Sequence, residues 1–378
     1  MKLTDLCNLA ALPLQQAHSL PFQAYTDAEV YREETARIFH KEWVFVCMAG
    51  ELKSPGDYFA LQLAAEPIVV IRGDDGTLRC LSNVCRHRGT QILDDGVGKV
   101  DKYLVCPYHA WAFTRAGELA AVPYNKTIEV KADEHRLPEF LVEVWNGLVF
   151  VNLDPSAASL GQRLSGIDPY LDIFAPDTFD SITTGEIEHW QTNWKLAMEN
   201  AMESYHLFKV HKDTLEVYSP TRAAYYIAGS SEWSLTGGAT ERSKGLLEKW
   251  FSKEVHDHYV LISLPPSFVG ILSYGSLGWL SAHPDGVDKT IIRSGSVGLE
   301  SMLAYNDMEF TEAFFAEDKA ICERVYRGMH SRHGHGGKLT DMERVVVDFH
   351  QFWASRLQGS DPSEFFEDQA AARFLGRS

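Results

Sequence analysis

The chain is organised around two short segments, Cys85-Arg86-His87-Arg88-Gly89 and Cys106-Pro107-Tyr108-His109-Ala110-Trp111. Each segment offers one thiolate and one imidazole, spaced C-x-H in the first and C-x-x-H in the second. A [2Fe–2S] cluster of mixed ligation needs two thiolates for one iron and two imidazoles for the other. The spacing therefore predicts such a cluster, with the ligands Cys85, His87, Cys106 and His109.

A structural zinc site is the alternative for these four side chains, because thiolates and imidazoles also bind zinc. Zinc sites of this composition, however, usually keep the two cysteines in one pair and the two histidines in the other. Here each pair is mixed, which favours an iron–sulfur cluster.

Length, charge and cysteine content limit the class of protein. The 378 residues suffice for two domains with cores of their own. With 35 basic and 52 acidic residues the net charge is −17, and no basic block is present that would follow a phosphate backbone, so no nucleic-acid partner is expected. The four cysteines outside the two segments show no close disulfide spacing, which predicts a cytoplasmic location.

An uncharged stretch over residues 259–282 is long enough to cross a bilayer. Pro265-Pro266 and three glycines interrupt it, and serine and tyrosine are mixed among its apolar residues. We therefore predict consecutive buried strands there and no membrane segment.

Turn residues and apolar runs predict a β-rich region in the first half of the chain. Thr26-Asp27-Ala28-Glu29 has the composition of a capping box and predicts a helix that runs to about residue 40. Gly73-Asp74-Asp75-Gly76 predicts a hairpin turn, and Asp154-Pro155-Ser156 predicts a domain boundary. Strands are predicted at residues 43–46, 68–71, 78–81 and 148–153.

The second half mixes helices with strands. The pattern is helical over residues 160–177, extended over 182–191 and helical again from about Trp194. Further strands are predicted across 225–297, with a turn at Gly237-Gly238, and helices at 302–329 and 341–357. The whole predicts an α+β fold. Its predicted parts are an N-terminal helical segment (1–40) packing with the second domain, a β-rich cluster domain (41–155) and a helix-capped antiparallel-sheet domain (156–378).

A second metal site is indicated near the helix that starts at Trp194. Glu203 and His206 are three residues apart and would share one face of a helix. His211 lies five positions beyond His206, about 140° away on a straight helix. Both imidazoles can reach one metal only if the helix ends or bulges within residues 207–210. Two partly exposed histidines near a helix end are the alternative.

Both cysteine–histidine segments resemble the iron–sulfur motif of Rieske proteins. The region from Asn193-Trp194-Lys195 to His211 resembles the catalytic iron helix of Rieske non-haem iron oxygenase α subunits, and the resemblance covers almost the whole chain. It implies a β-rich Rieske [2Fe–2S] domain, a catalytic domain with mononuclear Fe(II), and assembly as a homotrimer.

The resemblance also implies a third iron ligand, an aspartate at the start of a downstream helix. Asp318 in Ala316-Glu317-Asp318-Lys319 matches that position, and Glu317 is the alternative. Two histidines and one carboxylate leave coordination positions open for O2. Most relatives carry aspartate where this chain has Glu203, the residue that links the cluster of one subunit to the iron of its neighbour. A minority that resembles carnitine and similar quaternary ammonium oxygenases has glutamate there, and a structural salt bridge is the alternative role.

The implied function is that of a terminal oxygenase component acting on O2 and a small organic substrate. Electrons from NAD(P)H would arrive through a separate reductase, since the chain has no GxGxxG fingerprint. Glu203, the acidic composition and the aromatic content favour an N-methylated or quaternary ammonium substrate, oxidised by monooxygenation or N-demethylation. An aromatic ring-hydroxylating dioxygenase is the alternative. An electron carrier with the cluster alone, or a binding module without iron, are alternatives of another class.

Overall fold

The computed structural model describes residues 1–185, 187–240, 254–303 and 308–361. The predicted strand region 225–297, the predicted helix 302–329 and the predicted domain 156–378 each include residues outside these ranges. The chain divides into two compact units, one formed by Phe39–Leu160 and the other by Met1–Ile38 with Gly161–Ser378. The predicted limits at residues 40, 155 and 156 concern folding domains, which a division by contacts does not test, and they stay predictions.

Antiparallel sheet dominates the unit Phe39–Leu160. In its described residues seven strands lie in the order β1-β10-β9-β4-β3-β2-β5, and three short strands form a second sheet, β6-β7-β8. The strands are β1 (Val44–Met48), β2 (Asp57–Leu63), β3 (Glu66–Arg72), β4 (Leu78–Ser82), β5 (Gly96–Lys99), β6 (Tyr103–Val105), β7 (Ala112–Thr114), β8 (Leu119–Ala121), β9 (Glu139–Trp145) and β10 (Leu148–Asn152). The four strands predicted from the sequence are confirmed as β1, β3, β4 and β10. Both β1 and β10 are buried at every position, which explains their continuous apolar sequences.

The other unit contains the larger sheet. Eight strands are described there, in the order β11-β18-β17-β16-β15-β14-β13 with β12 paired to β18. They are β11 (Ser181–Thr184), β12 (Glu188–Trp190), β13 (Tyr225–Gly229), β14 (Ser234–Ala239), β15 (His258–Leu264), β16 (Phe268–Ser273), β17 (Ser276–Pro284) and β18 (Thr290–Gly298). The uncharged stretch 259–282 forms β15, β16 and most of β17, as predicted. None of the described helices combines the length and the apolar character needed to cross a membrane.

The predicted turn at Gly237-Gly238 is wrong, because both glycines lie inside β14, opposite Val260 and Tyr259. A Cβ atom at Gly237 would lie 2.5 Å from the carbonyl oxygen of Tyr259, and one at Gly238 would lie 3.0 Å from that of Ala223. The glycines therefore permit a close approach of neighbouring backbone rather than a change of direction.

Eleven α-helices are assigned in the described ranges: α1 (Leu3–Ala10), α2 (Gln23–Thr26), α3 (Ala28–Glu34), α4 (Leu160–Arg163), α5 (Asp168–Leu171), α6 (Trp194–Met202), α7 (Leu207–Val210), α8 (Leu215–Tyr218), α9 (Glu300–Leu303), α10 (Met308–Gly328) and α11 (Arg344–Gln358). The predicted helix start is shifted by one residue: the N-cap of α3 is Asp27, whose carboxylate accepts the N–H of Glu29 at 2.8 Å, while Thr26 ends α2. A π-helical segment, Thr35–Phe39, continues α3.

A buried ion pair joins α3, α6 and α11. Nζ of Lys195 donates to Oε1 of Glu34 at 2.5 Å, and both side chains are fully buried. The indole N–H groups of Trp353 and Trp194 also donate to this carboxylate, at 2.7 and 2.9 Å. Burial lowers the pKa of Lys195, an effect that the nearby Glu34 opposes. These bonds anchor the first turn of α6, the helix that leads to the second candidate metal site.

Candidate metal centres

The two cysteine–histidine segments form loops with the same backbone geometry. In each, the cysteine N–H donates to the carbonyl five residues on at 2.8 Å, and the N–H four residues on donates to the cysteine carbonyl at 3.0 Å. The residue four positions after Cys85 is Gly89, with φ +74°, and the one after Cys106 is Ala110, with φ +55°. The loops therefore share one backbone turn, although the histidine follows its cysteine by two residues in the first loop and by three in the second.

The four predicted cluster ligands divide into a buried and an exposed pair. Cys85 and Cys106 are each 3% exposed, whereas His87 and His109 lie at the surface. The two imidazole centroids are 4.8 Å apart, and Trp111 stacks on His87 with centroids at 4.8 Å and ring planes 7° apart. Inner thiolates and outer imidazoles are the donor set that a mixed-ligand [2Fe–2S] cluster requires.

The surroundings of the two thiols differ. Burial raises the pKa of Cys85, as does the neighbouring thiol of Cys106. Burial would also raise the pKa of Cys106, but the N–H groups of Tyr108 and His109, together with Cys85, outweigh it and lower that pKa. Backbone N–H groups directed at sulfur stabilise the thiolate form that binds metal.

The second site begins where α6 ends. The backbone is extended at Glu203, so the predicted helix through residues 203–206 is wrong, and so is the predicted break within 207–210, where α7 forms one helical turn. The reason is local: Oε2 of Glu203 accepts the N–H groups of Tyr205 and His206, the latter at 3.2 Å, and so replaces helical hydrogen bonds. His206 and His211 flank α7, and their ring centroids are 5.0 Å apart.

Asp318 of α10 completes this site. Its Oδ1 atom lies 2.9 Å from Nε2 of His211 and 3.6 Å from Nε2 of His206. Across the described ranges, these three side chains are the group whose ligand atoms all come within 4.8 Å of one another. Two imidazoles and one carboxylate at this spacing fit a single non-haem Fe(II) ion.

Carboxylates hold the outer nitrogen of each imidazole. Nδ1 of His206 is 2.6 Å from Oε1 of Glu203, and Nδ1 of His211 is 2.8 Å from Oε2 of Glu317. Because a carboxylate only accepts, each Nδ1 carries a proton in these contacts. Nε2 of His211 also faces a carboxylate, Oδ1 of Asp318, and a metal bound at Nε2 would replace that inner contact. Burial would lower the pKa of His211, but Asp318 and Glu317 outweigh it and raise that pKa. Glu317, the alternative ligand, therefore contacts the outer nitrogen of His211, whereas Asp318 contacts the opposite nitrogen of the same ring.

Sequence reasoning missed two polar residues at this site. Asn200 donates its amide N–H to Oδ1 of Asp318 at 2.7 Å, and the hydroxyl of Thr214 donates to Oε2 of Glu317 at 2.8 Å. Asn200 lies on α6, three residues before Glu203, so helical spacing was the available signal for it. No local signal marks Thr214, because its partner lies 103 residues further along the chain.

Two family models match the chain, one for each unit. The Rieske [2Fe-2S] domain matches residues 42–140, and the catalytic domain of the ring hydroxylating alpha subunit matches residues 177–359. The chain belongs to the Rieske oxygenase α subunits. It is a terminal oxygenase subunit, and the family carries a [2Fe–2S] cluster and a mononuclear iron, as predicted. The zinc alternative is wrong, and the matched catalytic domain excludes a carrier that has the cluster alone.

Curated relatives of this Rieske oxygenase subunit include two monooxygenase components. The carnitine monooxygenase oxygenase subunit of Escherichia coli (strain K12) is 29% identical, over 92% of this chain and 96% of its own length. The glycine betaine monooxygenase oxygenase subunit of Chromohalobacter salexigens is 36% identical, over 53% of this chain and 45% of its own.

Solved structures of the same family confirm the predicted α+β fold. A quaternary ammonium Rieske monooxygenase in complex with an inhibitor superposes with a TM-score of 0.79 at 25% identity, covering 93% of this chain and 98% of that one. Naphthalene 1,2-dioxygenase from Rhodococcus sp. gives a TM-score of 0.77 at 21% identity, with coverage of 94% and 98%, and shares the fold alone.

Proposed function

We propose that this subunit monooxygenates a quaternary ammonium or other N-methylated compound at a C–H bond next to nitrogen. The observation that carries the proposal is the similarity to a carnitine monooxygenase subunit over 92% of this chain and 96% of that one. One oxygen atom of O2 enters the C–H bond and the other leaves as water, with two electrons from a reductase and two protons from solvent. The hydroxylated carbon next to nitrogen then separates into an aldehyde and an amine.

Cys85 and Cys106 would hold the inner iron of the cluster, and His87 and His109 the outer one. When bound, the cluster supplies single-electron transfer at a potential raised by its imidazole ligands. The buried thiols keep water from the sulfur side, while the exposed imidazole edges face outward. This division supports electron exchange with another protein at the histidine side.

His206, His211 and Asp318 would hold the mononuclear Fe(II), which supplies O2 activation when bound. The chain's own contribution is positional. Glu203 fixes the proton of His206 on Nδ1, and Asn200 orients Oδ1 of Asp318 towards both imidazoles. Each ligand atom is therefore aimed before metal binds, which lowers the cost of assembling the site.

The proposal includes a homotrimer in which Glu203 joins two subunits. Its Oε1 atom already accepts from Nδ1 of His206 at 2.6 Å. In the proposed trimer the same carboxylate also accepts from a cluster histidine of the partner subunit. Tyr205, two residues after Glu203, and Phe208 of α7 are 39% and 50% exposed, and apolar side chains left at a surface favour a protein interface there.

Location and electron donor are also part of the proposal. All six cysteines are free and buried, which supports a reducing cytoplasm. A separate reductase is expected to supply the electrons from NAD(P)H.

The experiment is a substrate screen with a matched reductase that follows O2 uptake together with aldehyde and amine release. We expect quaternary ammonium or N-methylated compounds to give O2 uptake matched by product. The second candidate function, ring dihydroxylation, is favoured by 36% identity to a 2-aminobenzenesulfonate 2,3-dioxygenase alpha subunit over 50% of this chain. Coupled cis-diol formation from an arene, with no turnover of methylammonium compounds, would select it instead.

A further inference from the structure

We propose that Glu317 is a positioning residue that fixes the tautomer and the orientation of His211 for metal binding. The inference rests on the proposed function, because it takes His206, His211 and Asp318 as the holders of the mononuclear metal. It assigns to Glu317 a task distinct from that of a ligand.

The contacts of Glu317 point away from the metal position. Its Oε2 atom accepts from Nδ1 of His211 at 2.8 Å and from the hydroxyl of Thr214 at 2.8 Å. The opposite nitrogen of the same ring, Nε2, lies 2.9 Å from Oδ1 of Asp318. One imidazole is thus held between two carboxylates, one on its metal-facing edge and one on its outer edge.

Helix α10 supplies both carboxylates from successive positions. Side chains at neighbouring positions of an α-helix point about 100° apart, so Glu317 and Asp318 can reach around opposite edges of one ring. Phe314, one turn earlier, meets the ring of His211 edge-on, with centroids 6.1 Å apart and planes at 89°. The packing of α10 against His211 therefore positions three side chains around this ring: the proposed ligand Asp318, the outer acceptor Glu317 and the aromatic neighbour Phe314.

Burial makes the outer acceptor necessary. The side chain of His211 is fully buried, whereas that of Glu317 is 35% exposed. Without Glu317, the buried Nδ1–H would lose its acceptor, and the ring would gain by moving the proton to Nε2, where Asp318 accepts it. A proton on Nε2 blocks the lone pair that a metal needs, so metal affinity must fall.

The exposure of Glu317 also makes the test practical, since its truncation leaves no cavity in the core. Glu317→Ala removes the acceptor, while Glu317→Gln keeps a carbonyl oxygen for Nδ1–H and for Thr214. Thr214→Val is the matched control, because it removes the Thr214–Glu317 bond and leaves the Glu317–His211 bond in place.

The experiment uses the full-length protein with its cluster loaded and its mononuclear site emptied by a chelator. Fe(II) is titrated anaerobically, and Co(II) serves as a spectroscopic probe of the ligand set. We expect Glu317→Ala to weaken metal binding by about 10–100-fold, with the cluster absorbance unchanged. Glu317→Gln and Thr214→Val are expected to stay within roughly threefold of the wild type.

Two outcomes would overturn the inference. One is a Glu317→Ala protein that binds Fe(II) as the wild type does. The other is a metal site abolished by Glu317→Ala but not by Asp318→Ala, which would make Glu317 the ligand. A wild-type protein that takes up no metal beyond its cluster would instead contradict the proposed function.

Discussion

Glu203 and Glu317 hold the two histidines by the same contact but from different distances along the chain. Glu203 lies three residues before His206, whereas Glu317 lies 106 residues after His211. The contact between Glu203 and His206 needs only the local turn that joins them. The contact between Glu317 and His211 also needs α10 to pack against His211. Substitutions at the two carboxylates should therefore have separable effects.

Glu203→Gln tests the role of this carboxylate between subunits. We expect the variant to keep the cluster, the mononuclear iron and its assembly state, because the amide oxygen still accepts from Nδ1 of His206. Turnover with the reductase should fall by several orders of magnitude, since electrons no longer reach the iron. Iron content per chain and steady-state O2 uptake, measured on the same preparation, provide the check.

Asp318→Ala is the companion variant and should fail in the opposite way. Removing a ligand oxygen should release the mononuclear iron, so that iron content falls from about three to about two per chain with an unchanged cluster spectrum. Depletion of iron in Glu203→Gln, together with its retention in Asp318→Ala, would mean that the two carboxylates have exchanged roles.

The two cluster loops show how one turn can be built from different residues. Gly89 and Ala110 occupy equivalent positions with φ +74° and +55°. Both are exposed, and a Cβ atom at Gly89 would meet nothing within 4 Å. A substitution at either position therefore changes backbone preference and little else.

We expect Gly89→Ala to destabilise its loop by about 1 kcal/mol, and Ala110→Val to cost more, because a β-branched residue resists positive φ. Ala110→Gly should be close to neutral, since relief of strain offsets the greater freedom of the unfolded chain. The measurement is the temperature at which the visible absorbance of the cluster is lost. An Ala110→Val protein that keeps its cluster as firmly as Ala110→Gly would contradict the expectation.

The buried pair of Lys195 and Glu34 links α6 to α3 and α11. Lys195→Met leaves a buried carboxylate with two indole donors and no cation, a loss that costs about 3–5 kcal/mol. Adding Glu34→Gln should recover part of that loss, because the buried charge goes and the amide oxygen still accepts from one of the two indoles. Urea unfolding followed by tryptophan fluorescence measures both effects. The exposed pair Lys99–Asp57, at 2.9 Å, is the control, and Lys99→Met should change stability by less than about 1 kcal/mol.

At the level of elements, the sequence predicted what local signals determine. The strands β1, β3, β4 and β10 follow from short apolar runs between turn residues, and the cluster loops follow from spacing. The end of α6 could not be predicted, because the apolar helical pattern continues through Met202 to Tyr205 while the side chain of Glu203 captures the following N–H groups. The turn predicted at Gly237-Gly238 was wrong for a similar reason, because glycine occurs both in turns and in strands whose backbones approach closely.

At the level of the whole molecule, the partners of the site residues come from distant parts of the chain. Asn200 and Asp318 are 118 residues apart, and Glu34 and Lys195 are 161 apart. Spacing in the sequence identifies the chemistry of such residues but not which of them meet. The proposal that Asp318 and not Glu317 is the ligand therefore rests on the contacts that both make with His211.

The proposed homotrimer makes a prediction that single chains cannot test. Two inactive chains are co-expressed: His109→Ala, which lacks a working cluster but keeps its iron site, and Asp318→Ala, which lacks the iron but keeps its cluster. If electrons cross between subunits, an iron in a His109→Ala chain is served by the cluster of an Asp318→Ala partner. Random mixing in a cyclic trimer should then restore roughly a quarter of wild-type turnover, since half of the chains have iron and half of those have the correct neighbour.

Glu203→Gln placed in one chain at a time supplies the control for this experiment. In the His109→Ala chain it should abolish the restored turnover, because that chain contains the iron site that receives the electrons. In the Asp318→Ala chain it should change nothing, since no electrons are delivered to the vacant site beside that glutamate. Electron transfer confined to one chain would restore no activity in any mixture, because every chain lacks either its cluster or its iron. Equal effects of Glu203→Gln in both chains would show that Glu203 supports the assembly and not the path.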